Sequence, residues 1–342
     1  MRNYCTLFDS GYIARGLALA GSLNEHCSPC RLFMLCMDDE AEVLLGQLGT
    51  PNIIPVRLAD LENEDRELAD VKATRNTVEY YFTCKASLVR YVLAKHTECE
   101  RVTYLDADLF FFSDPAELDN EIAGSSVAVI EHRFSPGNRR LYKYGRFNAG
   151  WLSVRNDVTG HNCIDWWRSR CLEWCHDYVE GDRYADQKYM DKFPELFNAV
   201  IVGNIGANLA PWNIGNYKLT YEGGKLFVDR QPVVFYHFQG VKRLFGPLVE
   251  SGLASYRQQL ATVARDHLYM PYLEKWHEAE RKVDKIRQSL ISQEGMEQSG
   301  ASAQKIKRGT FARRSRILLT SILRNLKYRT LFLSSGCSRR NG

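Results

Sequence analysis

The sequence predicts an α/β protein: a mostly parallel, twisted sheet with flanking helices, followed by a C-terminal helical extension. Three observations carry that expectation. Short apolar runs alternate with helical spacing from residue 4 onward, the pattern of a parallel sheet with covering helices. One longer apolar run, RVTYLDADLFFFSDP from Arg101 to Pro115, is closed by a proline turn and reads as a buried strand. The chain's 342 residues, 45% hydrophobic and 25% charged, can bury a substantial core within an ordinary globular composition.

In chain order, Tyr4–Phe8 is the first expected strand, Asp9-Ser10-Gly11 a turn, and Tyr12–Leu23 a helix by its Ala/Leu spacing. Arg31–Met37 follows as a second strand ending at Asp38-Asp39, then Ala41–Leu48 as a helix closed by Gly49. Ile53–Arg57 is a third short strand, and Asp60–Asp70 a charged loop or short helix. Tyr80–Lys95 has helical spacing, with Leu88, Val89, Val92 and Leu93 on one side. Beyond the central run come a strand at Val127–Ile130, a long basic and Tyr/Gly-rich loop from His132 to Arg146, and a strand from Phe147 to Val154. Ordered loops of that length serve as lids or binding edges. Cys163–Tyr178 is a Trp-rich helix, Tyr184–Met190 opens another, and Val233–Phe235 is expected as the last strand. Tyr256–Gln293 carries mixed charge at helical spacing and reads as one or two solvated helices packing on the domain, with Glu294–Ala303 a linker. The expected division is a domain over 1–250, a helical extension and linker over 251–300, and a tail over 301–342.

The net charge of +4 hides an asymmetry. Residues 301–342 hold eleven Lys or Arg and no Asp or Glu, leaving 34 basic against 41 acidic residues in the body. An acidic body does not suit a long polyanion, so nucleic acid is not an expected partner. Within the tail, Phe311, Leu318, Leu319, Ile322, Leu323 and Leu326 fall on one side of a helix spanning Phe311–Leu333. Arg313, Arg316, Arg324 and Lys327 fall on the other. That is the pattern of an interfacial helix on an anionic membrane surface, with a disordered solvated tail as the alternative. No secretory signal opens the sequence and no apolar run is long enough to span a bilayer. A cytoplasmic protein, peripheral at the inner face of the cytoplasmic membrane, is therefore expected. Ten cysteines fit reduced thiols there, acting as small buried hydrophobes.

The central run also places Asp106 and Asp108 one residue apart. On an extended chain residues i and i+2 face the same way, so both carboxylates can converge on one hard divalent cation. Ligands of parallel sheets bind beyond the carboxyl ends of the strands, where Asp9 and Asp106 lie. Lys85 and Arg90, just ahead of the central strand, can face a diphosphate. A D-x-D triplet is unspecific by itself; its company makes it informative.

That company is Phe8-Asp9-Ser10-Gly11-Tyr12, Arg90, Tyr104–Asp108 (YLDAD), Phe147–Gly150 (FNAG), Asp186-Gln187, and His237 with Gly240 and Lys242. In order and spacing the set resembles the GT-A glycosyltransferases, especially the retaining family 8 enzymes and their bacterial lipopolysaccharide relatives. The resemblance covers about residues 4–245. It departs after His237, where HFQGVKRLF has its lysine one residue early and no Pro-Trp, making Arg243 an alternative to Lys242. The resemblance implies a GT-A fold with Asp106, Asp108 and His237 holding Mn²⁺ (or Mg²⁺); an imidazole ligand suits Mn²⁺ better. Asp9 and Tyr12 would face the nucleoside, and Gly240 with Lys242 or Arg243 the phosphates. Arg90, Asn148, Asp186 and Gln187 would surround the donor sugar, the last two in the catalytic role of positioning it and supporting the transition state. The implied reaction is metal-dependent transfer of a hexose from a nucleotide sugar, UDP-linked, to a glycan or glycolipid acceptor such as lipopolysaccharide, with retention. Two other readings stand beside it. A sugar-nucleotide nucleotidyltransferase would carry a Gly-rich phosphate loop, where Phe8–Arg15 has one glycine. A catalytically inactive, membrane-associated binding protein would share the fold.

Overall fold

A computed structural model describes residues 1–245, 247–297 and 330–333. The N-terminal half begins with β1 (Arg2–Phe8), α1 (Ile13–His26), β2 (Cys30–Cys36), α2 (Asp39–Leu48) and β3 (Ile53–Arg57). Three helices follow, α3 (Leu58–Glu64), α4 (Arg66–Val71) and α5 (Thr77–Lys95), and then β4 (Arg101–Leu105) and β5 (Leu109–Phe111). Next come α6 (Ala116–Ile122), β6 (Val127–Glu131), β7 (Phe147–Arg155), α7 (Val158–Glu173), α8 (Phe193–Phe197) and β8 (Val200–Val202). Three short strands, β9 (Leu219–Glu222), β10 (Lys225–Val228) and β11 (Gln231–Pro232), form a small sheet of their own. The chain continues through β12 (Phe235–His237), β13 (Lys242–Phe245), β14 (Leu248–Glu250), α9 (Thr262–Ala264), α10 (Met270–Glu297) and β15 (Leu331–Leu333).

The main sheet has seven strands in the order β3-β2-β1-β4-β7-β6-β8. Only β7 runs against its neighbours; the remaining pairings are parallel. Parallel strands need crossovers, and the covering helices supply them, which is why β1 and β2 read as nearly continuous apolar runs. Leu32, Phe33, Met34 and Leu35 of β2 are fully buried. Alternate residues feed the two faces: Phe33 and Leu35 join the core under α5 and α7, while Leu32 and Met34 join the one under α1 and α2. Helix α5 starts with a capping box, Asn76 and Glu79 each bonding the other's backbone N–H. Asp65 caps α4 and pairs with Arg168, fastening α7 across it.

The structure corrects the sequence reading at three places that matter for the site. The run from Arg101 to Pro115 is two strands, not one. Strand β4 ends at Leu105, the chain turns with Leu109 N–H donating to the Asp106 carbonyl at 3.1 Å, and β5 leaves the main sheet. It pairs antiparallel with β12, setting His237 opposite Leu109. Second, β12 is not the last strand, since β13 and β14 form a hairpin and β15 adds to its edge. Of the amphipathic helix expected over Phe311–Leu333, residues 311–329 lie outside the described residues, and Leu331–Leu333 are strand. Third, α10 packs on the domain through a deeply buried face that the sequence reading did not single out. Tyr272, Leu273, Trp276, Ala279 and Val283 recur on one helical face and are buried. The first four share a core with Ala14 and Ala18 of α1, Phe110 of β5 and Tyr236 and Phe238 around β12, and Val283 joins the core under α1 and α2. A period of 3.6 marks a buried face only when the polar residues between are seen to point outward, and here charges on the opposite face masked it.

Among the described residues no helix is long and apolar enough to cross a membrane. The nine cysteines described are free and buried.

Candidate active site

The departure of β5 from the main sheet builds the site. Asp106 stays registered to β7 through its N–H, which donates to the Gly150 carbonyl at 2.9 Å. Asp108, past the turn, accepts at its carbonyl from Phe238 N–H at 2.9 Å, and His237 N–H donates to the Leu209 carbonyl at 2.7 Å. The β5–β12 pairing therefore carries a histidine from late in the chain onto the two aspartates. His237 Nε2 lies 3.0 Å from Asp108 Oδ1 and 3.9 Å from Asp106 Oδ2. One ligand atom from each of the three residues falls within 4.8 Å of the other two.

These groups fit a divalent cation by their own chemistry. His237 is 3% exposed, and its Nε2 makes no hydrogen bond of acceptable geometry although a carboxylate oxygen stands beside it. A buried polar atom left without a hydrogen bond is rare and calls for a partner. Imidazole nitrogen with two carboxylates is a donor set for Mn²⁺ or Mg²⁺. Burial alone lowers the His237 pKa, but Asp108 beside it outweighs burial and raises it. Burial pushes the Asp108 carboxyl up; the charges of His237 and Arg15 overcome that and hold it below the usual range.

Around this cluster the second carboxylate oxygen of Asp106 is fixed from two sides. Tyr104 OH donates to Oδ1 at 3.0 Å, and Lys85 Nζ lies 2.9 Å from it. Lys85 also reaches Asp186 Oδ2 at 3.4 Å and the Ala149 carbonyl at 3.4 Å. Burial disfavours its charge, yet the two aspartates more than compensate and its pKa is raised. Asp186 is 2% exposed, and burial, offset in part by Lys85, pushes its carboxyl up to about 6. Asn148 presents Nδ2 3.3 Å from His237 Nδ1 and accepts from Gly150 N–H at 2.5 Å. Gln187 donates to the Tyr144 carbonyl at 2.9 Å and accepts from Ala149 N–H at 3.4 Å. A cavity of about 290 Å³ opens over these groups, walled by Lys85, Asp106, Asn148, Asp186, Gln187 and His237. Phe134, Tyr144, Tyr184, Trp212 and Tyr256 complete its rim, and the Trp212 indole N–H has no hydrogen-bond partner. His132, also in the wall, is kept neutral by burial, which drives its pKa down to about 3.

Gly150 shows how tightly the cluster is held. A Cβ there would stand 2.7 Å from Asn148 Oδ1, 2.7 Å from Asp106 Oδ2 and 2.8 Å from His237 Cε1. Strand β7 can pass beneath the cluster only as glycine.

The other expected site residues are placed as follows. Asp9 directly follows β1 and accepts from Tyr12 N–H at 3.1 Å and Tyr81 OH at 3.0 Å. Tyr12, exposed at the start of α1, lies in the field of Asp108 and Asp106. Gly240 turns the chain after His237 with a φ of +79°, a conformation that favours glycine. Lys242 is exposed on β13, whereas Arg243 is engaged by Glu280 of α10 and lies over Trp276. Asp9, Tyr12, Gly240 and Lys242 lie outside the wall of the cavity. Arg90 is a correction: it pairs with Asp165 at 2.9 Å, half-exposed, and does not reach the site. Five residues along a helix turn through about 140° from the starting direction. With Lys85 facing the aspartates, Arg90 must face outward onto α7.

No protein-family model matches the sequence. Among curated proteins the chain is 34% identical over 281 residues to YfnD of Bacillus subtilis strain 168, spanning 80% of this chain and 89% of that one. It belongs to the YfnD family. YfnF of the same bacterium is 34% identical over 248 residues, spanning 70% of this chain and 81% of its own. Both relatives are described as uncharacterised. Among solved structures the chain is similar to the galactosyltransferase LgtC in complex with donor and acceptor sugar analogues. That likeness is 18% identity and a TM-score of 0.48, over 70% of this chain and 87% of that one.

For a YfnD-family chain, then, function has to be argued from the site. Sequence reasoning missed Tyr104 as a support of Asp106, although it sits inside the YLDAD run. It also missed Trp212 and the aromatic rim, because aromatic residues scattered over distant loops share no periodicity.

Proposed function

We propose that this protein is a metal-dependent glycosyltransferase moving a hexose from a nucleotide sugar, UDP-linked, to a glycan or glycolipid acceptor such as lipopolysaccharide, with retention at the sugar carbon. The observation that carries the reading is the Asp106–Asp108–His237 cluster, with its unbonded buried imidazole nitrogen, opening onto a polar-floored cavity. The ordered sequence motifs around that cluster support it.

Asp106, Asp108 and His237 would hold Mn²⁺ (or Mg²⁺), which, when bound, neutralises the diphosphate that leaves with the nucleotide. The remaining work falls to the chain's own groups. Lys85 locks Asp106 and Asp186 in one geometry, so both carboxylates are oriented before substrate arrives. Asp186 and Gln187, in the cavity wall, would accept and donate hydrogen bonds at a hexose there, beside Asn148, which stands next to His237. The aromatic rim gives sugar rings apolar faces to stack on and excludes water from the reacting carbon.

The test is a donor panel. Wild-type protein with Mn²⁺ should hydrolyse one or more UDP-sugars slowly in the absence of acceptor, and EDTA should stop it. If no UDP-, GDP- or ADP-sugar is turned over, or EDTA leaves turnover unchanged, the reading is wrong.

The basic tail is proposed as the contact with an anionic membrane surface, on the strength of its eleven cations and no anions. The full chain should sediment with phosphatidylglycerol vesicles and not with phosphatidylcholine ones. Gln at Arg313, Arg316, Arg324 and Lys327 should release it; unchanged binding would refute the role.

A further inference from the structure

Arg15 is an unusual arginine for its surroundings. It lies in the first turn of α1 and is 8% exposed. Its guanidinium is sandwiched between two rings, 4.5 Å from the Tyr12 centroid and 4.4 Å from that of Trp276 in α10. Nη2 donates to the Val241 carbonyl at 2.8 Å, within the loop that leaves His237. Nη1 is buried and has no hydrogen-bond partner, and among the described residues Arg15 forms no ion pair. Arg101 and Arg133, by comparison, each give two bonds to backbone, Arg101 to the Ile122 and Ser125 carbonyls and Arg133 to those of Asn204 and Ala207.

A buried guanidinium with an unbonded Nη1 is costly, and charged groups held in such surroundings cluster at functional sites. The nearby chemistry says which side of the site that is. The charge of Arg15 reaches Asp108, and its one bond holds the loop carrying Gly240 and Lys242. Lys85 pairs with Asp106 and Asp186, and His237 faces Asp108; Arg15 adds a further positive charge to a site that, loaded with a cation, is to accept an anion.

We propose that Arg15 is a positioning residue for the donor diphosphate, anchoring the loop from Phe238 to Lys242 at Val241 and supplying a buried positive charge at that anchor. The proposal rests on the nucleotide-sugar reading given above. The aromatic clamp of Tyr12 and Trp276 holds the guanidinium plane still, so its forked donors are pre-oriented.

The test uses the full chain with Mn²⁺ and calorimetric titration of UDP, GDP and ADP, each against its nucleoside. Arg15→Met keeps a long apolar side chain between the rings and removes the charge. It should weaken the best-bound diphosphate roughly ten- to a hundredfold, the range lost with a hydrogen bond to a charged group. Nucleoside binding should change less than about twofold, and Arg15→Lys should restore part of the loss because it keeps the charge without the fork. Diphosphate binding equal to wild type would overturn the proposal, as would parallel loss of diphosphate and nucleoside with no rescue by lysine. Should Arg15→Met fail to fold, Arg15→Lys decides alone: a selective loss of diphosphate affinity supports the role and none refutes it. Wild-type protein that binds none of the three diphosphates would bring down the glycosyltransferase reading itself, an outcome distinct from wild type and variant binding alike.

Discussion

Asp108→Asn should abolish metal-stimulated donor hydrolysis while leaving a folded protein. Asn keeps the size and shape of the side chain, which is 7% exposed, but removes the negative charge that faces His237 at 3.0 Å. The cation then loses one of three protein ligands and the only carboxylate on the β5 side of the turn. Supporting groups one step removed from a metal already cost about 10- to 100-fold when altered, so loss of a direct ligand should cost at least about 100-fold in kcat/KM. A second readout needs no turnover. Cation binding to the folded state alone raises the unfolding temperature by mass action. The wild-type midpoint should climb with Mn²⁺ concentration, and that of Asp108→Asn should stay flat. Full activity in the variant, or an equal Mn²⁺ response, would show that the ion, if required, binds elsewhere.

Gly150→Ala should be nearly as damaging to activity, for a steric reason. The added methyl meets three atoms below 3.0 Å, and all three belong to residues of the cluster: Asn148, Asp106 and His237. Each is buried or pinned, Asp106 by Tyr104 and Lys85 and Asn148 by the Gly150 N–H, so none can swing clear cheaply. Displacement approaching 1 Å among positioning groups can cost about 100-fold, and that is the expected fall in kcat/KM. Stability should drop as well, by about 1–3 kcal/mol, the usual cost of overpacking. Gly21→Ala is the matched control, since a methyl there meets nothing within 4 Å. It should leave kcat/KM unchanged and, in a helix interior, raise stability by up to about 1 kcal/mol. Wild-type activity in Gly150→Ala would mean that the cluster is looser than its packing indicates.

Both predictions depend on groups of unequal visibility in the sequence. Asp106, Asp108 and His237 could be matched to a motif pattern, and the structure brings them within reach of one another. Their mode of convergence was not legible. Leu105 and Leu109 are equally apolar, so the strand break between them leaves no trace in hydrophobic periodicity; only the hydrogen-bonding partners of β5 reveal it. Arg90 illustrates a second kind of miss. A cation on a helix can be placed on the right element and still face the wrong way, because the sequence pattern of α5 is buried on much of its circumference and does not single out one face. Lys85, the cation that does reach the aspartates, is itself 5% exposed. Arg15 had no signal at all beyond being a basic residue at a helix start.

The succession of β1, α1, β2, α2 and β3 was determined by the sequence alone, since burial against a sheet or along one helix face imposes periods of two and 3.6 residues that survive in any listing of apolar positions. The residue types for holding a cation were determined there too, because carboxylate and imidazole oxygen and nitrogen donors are chemical facts of the side chains. Tertiary structure alone decided that β5 abandons the main sheet for β12, that Lys85 and not Arg90 turns inward, and that α10 belongs to the core. Each of those outcomes depends on which backbone groups and apolar faces meet across long separations in the chain, and such pairings carry no local periodicity to read.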